Sequence, residues 1–114
     1  MKMMLIGLDE PRMKKDGWDV ANFWKQIDDL FFKQNWTKEV QPDGKALYVG
    51  NPDSDNLLAD VCIVYGSLVK SVGFGKYCTT WIEYDNDDDE SLPFADVDFL
   101  AAEKKDRNPL FIGG

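Results

Sequence analysis

The stretch from Val20 to Phe31 constrains the fold of this 114-residue chain more than any other. Val20, Trp24, Ile27 and Phe31 recur at i, i+4, i+7 and i+11, and Phe23 and Leu30 widen the stripe. Lys25, Gln26, Asp28 and Asp29 fill the opposite side. That spacing is the 3.6-residue period of an amphipathic helix. A stripe so rich in large rings has to be buried against a second layer, so the chain needs a partner layer for this helix. The pattern predicts a helix from about Trp18 to Gln34. Asp16 or Asp19 is placed to accept backbone N–H bonds at its start, and Lys33 with Asn35 suits its end. Phe32 falls off the stripe and is the ring expected at the surface.

The rest of the chain reads mainly as strands. Met3 to Leu8 is a short apolar run ahead of a proline. Pro42-Asp43-Gly44 separates two β-prone runs and predicts a hairpin from Lys38 to Val49. Val61–Tyr65, Leu68–Val72 and Tyr77–Tyr84 are rich in Val, Ile, Thr and aromatics and are punctuated by Gly66, Gly73 and Gly75, which predicts three more strands in an antiparallel meander. Phe94, Val97, Leu100 and Ala101 return to helical spacing, with Ser91 or Asp96 as a cap, and this helix ends before Asn108-Pro109. The expected fold is a single α+β domain over residues 1–114. Its antiparallel sheet of four to five strands packs against one long N-terminal amphipathic helix, with a short C-terminal helix.

Several functions are disfavoured by composition. The chain has no histidine, which rules out imidazole triads and leaves zinc sites short of ligands. Cys62 and Cys78 form no C-x-x-C pair and are expected as half-buried thiols on neighbouring strands. Gly73-Phe74-Gly75 is followed by no clear helix start and reads as a turn rather than a phosphate loop. No catalytic residue, metal or cofactor is expected. The opening MKMMLIGLDEPR is too short and too poor in small residues for a secretory signal, and no apolar run reaches membrane-spanning length, so a cytoplasmic protein without membrane contact is expected.

Charge is the remaining clue. Residues 1–50 balance eight Lys and Arg against eight Asp and Glu, whereas residues 51–114 set five against thirteen, so the whole net charge of -8 lies in the second half. Ile82 to Phe99 alone carries eight carboxylates and no Lys or Arg. Asp85, Asp87 and Asp89 match the first ligand positions of a calcium loop, with Leu92 and Asp96 further along. Glu90, however, stands where glycine is required, and the preceding TTWIEY reads as strand rather than helix. A Ca²⁺-binding or ligand-binding module over residues 85–96 is therefore a lesser alternative.

A plain solvated loop is the simplest reading of the run. Against it stand the absence of counter-charge and the interleaved rings of Trp81, Tyr84, Phe94 and Phe99. Carboxylates around aromatic anchors suit a surface that docks a cationic protein. The partner-binding residues expected on that basis are Trp81 and Tyr84 as anchors and Asp85, Asp87, Asp88, Asp89 and Glu90 as electrostatic contacts. Such acidity disfavours direct nucleic-acid binding and favours a basic protein, such as a toxin or nuclease domain, whose cationic cleft an acidic chain can block. Being small and acidic, the chain is similar in outline to bacterial toxin immunity proteins and to phage proteins that inhibit defence nucleases by imitating DNA. The likeness is one of composition. Confinement of the charge to one half favours the immunity protein, with the DNA mimic as the alternative.

Overall fold

A computed structural model of the chain describes residues 2–85 and 97–105. In chain order the elements are β1 (Lys2–Leu8), α1 (Glu10–Lys15), α2 (Val20–Phe32), β2 (Thr37–Val40), β3 (Ala46–Val49), α3 (Leu57–Lys70), α4 (Phe74–Tyr77), β4 (Cys78–Asp85), β5 (Val97–Asp98) and α5 (Phe99–Lys105). The five strands form one antiparallel sheet in the order β2-β3-β1-β4-β5, giving the expected α+β class. The sheet is not the meander that the sequence suggested. β1 lies at its centre, flanked by the β2-β3 hairpin and by β4, so β3 and β4 run parallel to each other with β1 between them. Joining two parallel strands takes a crossover, and a helix is the usual one.

That crossover is α3, where two strands were expected over Val61–Tyr65 and Leu68–Val72. The β-branched residues there hide a helical period: Leu57, Val61, Val64 and Leu68 repeat the i, i+4, i+7, i+11 spacing of α2, and the last three are buried. The Asn56 side chain accepts the Ala59 N–H at 3.0 Å and fixes the start. Periodicity therefore outweighs β-propensity, which is context-dependent. At 14 residues α3 is longer than the 13-residue α2, so the longest helix lies mid-chain and not at the N-terminus. Cys62 lies exposed on this helix while Cys78 is buried on β4, so the two thiols do not share neighbouring strands.

The first amphipathic helix matches its pattern closely. Asp19 accepts the Asn22 N–H at 3.1 Å. The helix closes in a Schellman-type turn, with Asn35 at φ 62° and the Trp36 N–H donating to the Phe31 carbonyl at 3.1 Å. Val20, Phe23, Ile27 and Phe31 are buried, and Phe32 is exposed as its off-stripe position implies. The C-terminal helix starts later than expected, at Phe99, because Val97, assigned to its stripe, pairs with Glu83 in β5; Phe94 lies outside the described residues. Its first-turn Ala101 N–H is accepted by Asp98 at 3.0 Å, the role assigned to Ser91 or Asp96, which lie outside the described residues.

All the described helices cover one face of the sheet. Met13, Phe31, Val64, Phe74 and Tyr77 join Met4, Ile6, Tyr48 and Trp81 in a single buried cluster, with Phe99 and Leu100 of α5 packed against it. The α1–α4 contact is held by the Tyr77 hydroxyl, which donates to Asp16 at 2.7 Å, with Lys76 Nζ at 3.8 Å from the same carboxylate. This hydrogen bond, and then the lysine, lower the Asp16 pKa. Its contribution to stability is present above the ordinary carboxylate range and is lost as pH falls through it.

Gly73 occupies a left-handed conformation at φ +88°, and a Cβ there would lie 2.7 Å from Cη2 of Trp18. Gly17 has a similar φ of +85° with nothing within 4 Å. Gly73→Ala is therefore expected to cost about 2–4 kcal/mol, the sum of backbone strain and a ring clash, against about 1 kcal/mol for Gly17→Ala. Equilibrium urea unfolding of the two variants reads the difference, and equal losses would remove the role given to the Trp18 contact.

Candidate partner-binding surface

Side chains alternate along β4, and this alternation sorts the aromatic and acidic residues singled out from the sequence. Trp81 and Glu83 point toward the helices, while Thr80, Ile82 and Tyr84 point to the opposite face. Trp81 is fully buried, with its ring 5.4 Å from Tyr65, 5.1 Å from Phe74 and 5.1 Å from Phe99, and its Nε1–H directed at Met4 Sδ at 3.1 Å. A ring enclosed on all sides has no surface to offer a partner, so the anchor role expected of Trp81 is replaced by a core role. Tyr84 is half-buried on the far face.

Asp85 ends β4, paired with Lys2. Asp87, Asp88, Asp89 and Glu90 lie outside the described residues. The chain rejoins the sheet at β5, where Asp98 pairs with Ile82 and Val97 with Glu83. The acidic stretch therefore connects two adjacent strands, not a strand to a helix. The segment entering it is strand β4, where a calcium loop has a helix. Among the described residues no group of three or more Cys, Asp or Glu is placed to hold a metal ion. Nor is any described helix long and apolar enough to cross a membrane.

The face that carries Tyr84 is built in cross-strand rows. One row runs Thr37, Val49, Met3, Tyr84, and the next runs Glu39, Leu47, Leu5, Ile82, Asp98. At one end Gly7 lies against Lys45 and Thr80. Met3, Leu5, Leu47, Val49, Ile82 and Tyr84 are all half-buried, and none belongs to the helix-side core or packs against it. No described element covers them. A contiguous apolar face rimmed by polar residues is characteristic of an interaction surface.

Among the described residues the rim carries exposed acids. Glu39 and Asp98 are exposed at the two ends of the central row. Lys45, a cation of this face, pairs with Asp43 at 3.3 Å, and its backbone N–H, followed by its ammonium, lowers the Asp43 pKa. Lys2 lies 3.7 Å from Glu83, and Lys38 is 2.9 Å from Asp28 on the helix side. These lysines are thus drawn into ion pairs within the chain.

Nothing in the local sequence marks Met3, Leu5, Leu47, Val49 and Ile82 as a site. A usable signal is present only in the pattern: in MMLI and ALYV apolar residues occupy consecutive positions, and a strand without alternation is apolar on both faces. With the described helices on one side, the other apolar face is covered by no described element. Compared with known proteins, the chain matches no family model, no curated protein and no solved structure.

Proposed function

We propose that this chain is a small, non-enzymatic acidic protein that binds and neutralises a basic protein, in the manner of an immunity protein that inhibits a bacterial nuclease toxin. One observation carries the reading. The acidic stretch leaves the sheet at Asp85 and returns to the adjacent strand at Val97, and residues 86–96 hold five carboxylates and no Lys or Arg. The sequence thus concentrates negative charge between β4 and β5, while Lys2, Lys38 and Lys45 of the sheet and its hairpin pair with carboxylates of the chain. A nuclease presents a cationic cleft to its phosphate substrate, and a concentrated negative field both steers such a partner in and competes with nucleic acid for it.

The test is inhibition at defined stoichiometry. A basic nuclease recovered with this protein should lose cleavage of a fluorescent RNA or DNA substrate on addition of one equivalent, and full cleavage in the presence of excess protein would overturn the reading. A variant carrying Asp87→Asn, Asp88→Asn, Asp89→Asn and Glu90→Gln should associate about tenfold more slowly at low salt while keeping its melting temperature. An unchanged rate would remove these four residues from the steering surface.

A further inference from the structure

We infer that the sheet face formed by Met3, Leu5, Leu47, Val49, Ile82 and Tyr84, which no described element covers, is the surface on which the basic partner docks, through an apolar patch ringed by Lys and Arg. The inference deepens the binding reading above and rests on it. Charge steers a partner but supplies little net affinity once desolvation is counted, so a stable complex needs an apolar centre within an acidic rim. This face provides both. Its six apolar side chains come from β1, β3 and β4, the three central strands, where cross-strand pairing holds them rigidly and little conformational entropy remains to be lost on binding.

Charge selects the occupant. The central row of the face ends in exposed Glu39 on one side and exposed Asp98 on the other, and Lys45 is paired with Asp43. Stacking a second copy on this face would bring two chains of net charge -8 together with their acidic rims apposed. A partner carrying Lys or Arg around an apolar patch meets the same rim with attraction. Within the face Tyr84 is the expected hot spot, because a tyrosine ring adds apolar area and carries a hydroxyl able to hydrogen-bond a partner.

Site-specific cross-linking tests this. Benzoylphenylalanine placed at position 47, and as a control at position 63 on the exposed side of α3, is photolysed in cells making the full chain. The expected result is an adduct from position 47 only, to a protein with an isoelectric point above about 9. The purified adduct partner should then bind at least about tenfold more weakly to Leu47→Lys and to Ile82→Lys, and about threefold more weakly to the milder Leu47→Ala. Far-UV circular dichroism checks that each variant keeps its fold, and Ile63→Lys should bind as the unaltered chain does. An adduct from position 47 to a second copy of this chain overturns the inference, making the face a self-interface. A basic partner captured from position 63, or one indifferent to the changes at 47 and 82, overturns the docking face and leaves the binding function standing. Recovery of no basic protein from either position overturns both.

Discussion

Replacing Trp81 with alanine is expected to cost about 3–5 kcal/mol, a large share of the stability of a domain of this size. The indole is fully buried against Tyr65, Phe74 and Phe99, rings contributed by α3, α4 and α5, with Met4 of β1 at its nitrogen. One side chain thus joins the sheet to three helices, and its removal leaves a cavity that α3 and α5 cannot both close. Trp81→Phe, which keeps an apolar ring, should lose less than half as much. Chemical denaturation followed by far-UV circular dichroism reads the loss. The opposite pattern, a stable Trp81→Ala fold with impaired partner binding, would return this residue to the surface role that its acidic neighbours suggested.

The second large effect is expected at Asp28. On α2, its carboxylate accepts the Tyr48 hydroxyl at 2.6 Å through one oxygen, and Lys38 Nζ lies 2.9 Å from it. Lys38 also sits 5.3 Å from the centre of the Trp24 ring, while Tyr48 stacks on Phe31 at 3.8 Å. Asp28→Ala strips a fully buried hydroxyl and a half-buried ammonium of their common acceptor, at an expected cost of about 2–4 kcal/mol. Asp28→Asn, which still accepts a hydrogen bond, should lose about half of that.

The same contact gives stability an alkaline limit. Burial first, and then the Asp28 carboxylate, raise the Tyr48 pKa well above its ordinary value of 10.0. The folded pKa exceeds the unfolded one, so this contribution is whole below the ordinary value and declines as pH rises beyond it, where the unfolded chain releases its proton first. Urea unfolding at pH 8 and pH 11 should show the decline in the unaltered chain. A smaller decline is expected in Tyr48→Phe, and identical slopes would contradict the coupling.

Much of this architecture is legible in the residues, and the misreadings have identifiable causes. The α2 stripe, the Pro42-Asp43-Gly44 hairpin and the β4 strand are strong local patterns, and local patterns survive folding. α3 reads as strand from the sequence because Val61, Ile63, Val64 and Tyr65 favour strands individually, while the helical spacing from Leu57 to Leu68 becomes decisive only once β3 and β4 are known to need a crossover. Trp81 and Tyr84 look alike as aromatic neighbours of an acidic run, yet they lie an odd number of residues apart on one strand and therefore on opposite faces. Which face is covered depends on where the helices pack, a tertiary fact. The second apolar face is hidden for the same reason, since Met3, Leu5, Leu47 and Val49 have the composition of ordinary core residues.

Stopped-flow association between this protein and its basic partner, measured across ionic strength, bears most directly on the proposed function. If the acidic half steers a cationic protein onto the chain, the association rate should fall at least about tenfold between ~20 mM and ~500 mM salt, with the dissociation rate changing far less. An association rate that stays level across that range would contradict it, because capture would then owe nothing to the charge that sets this sequence apart.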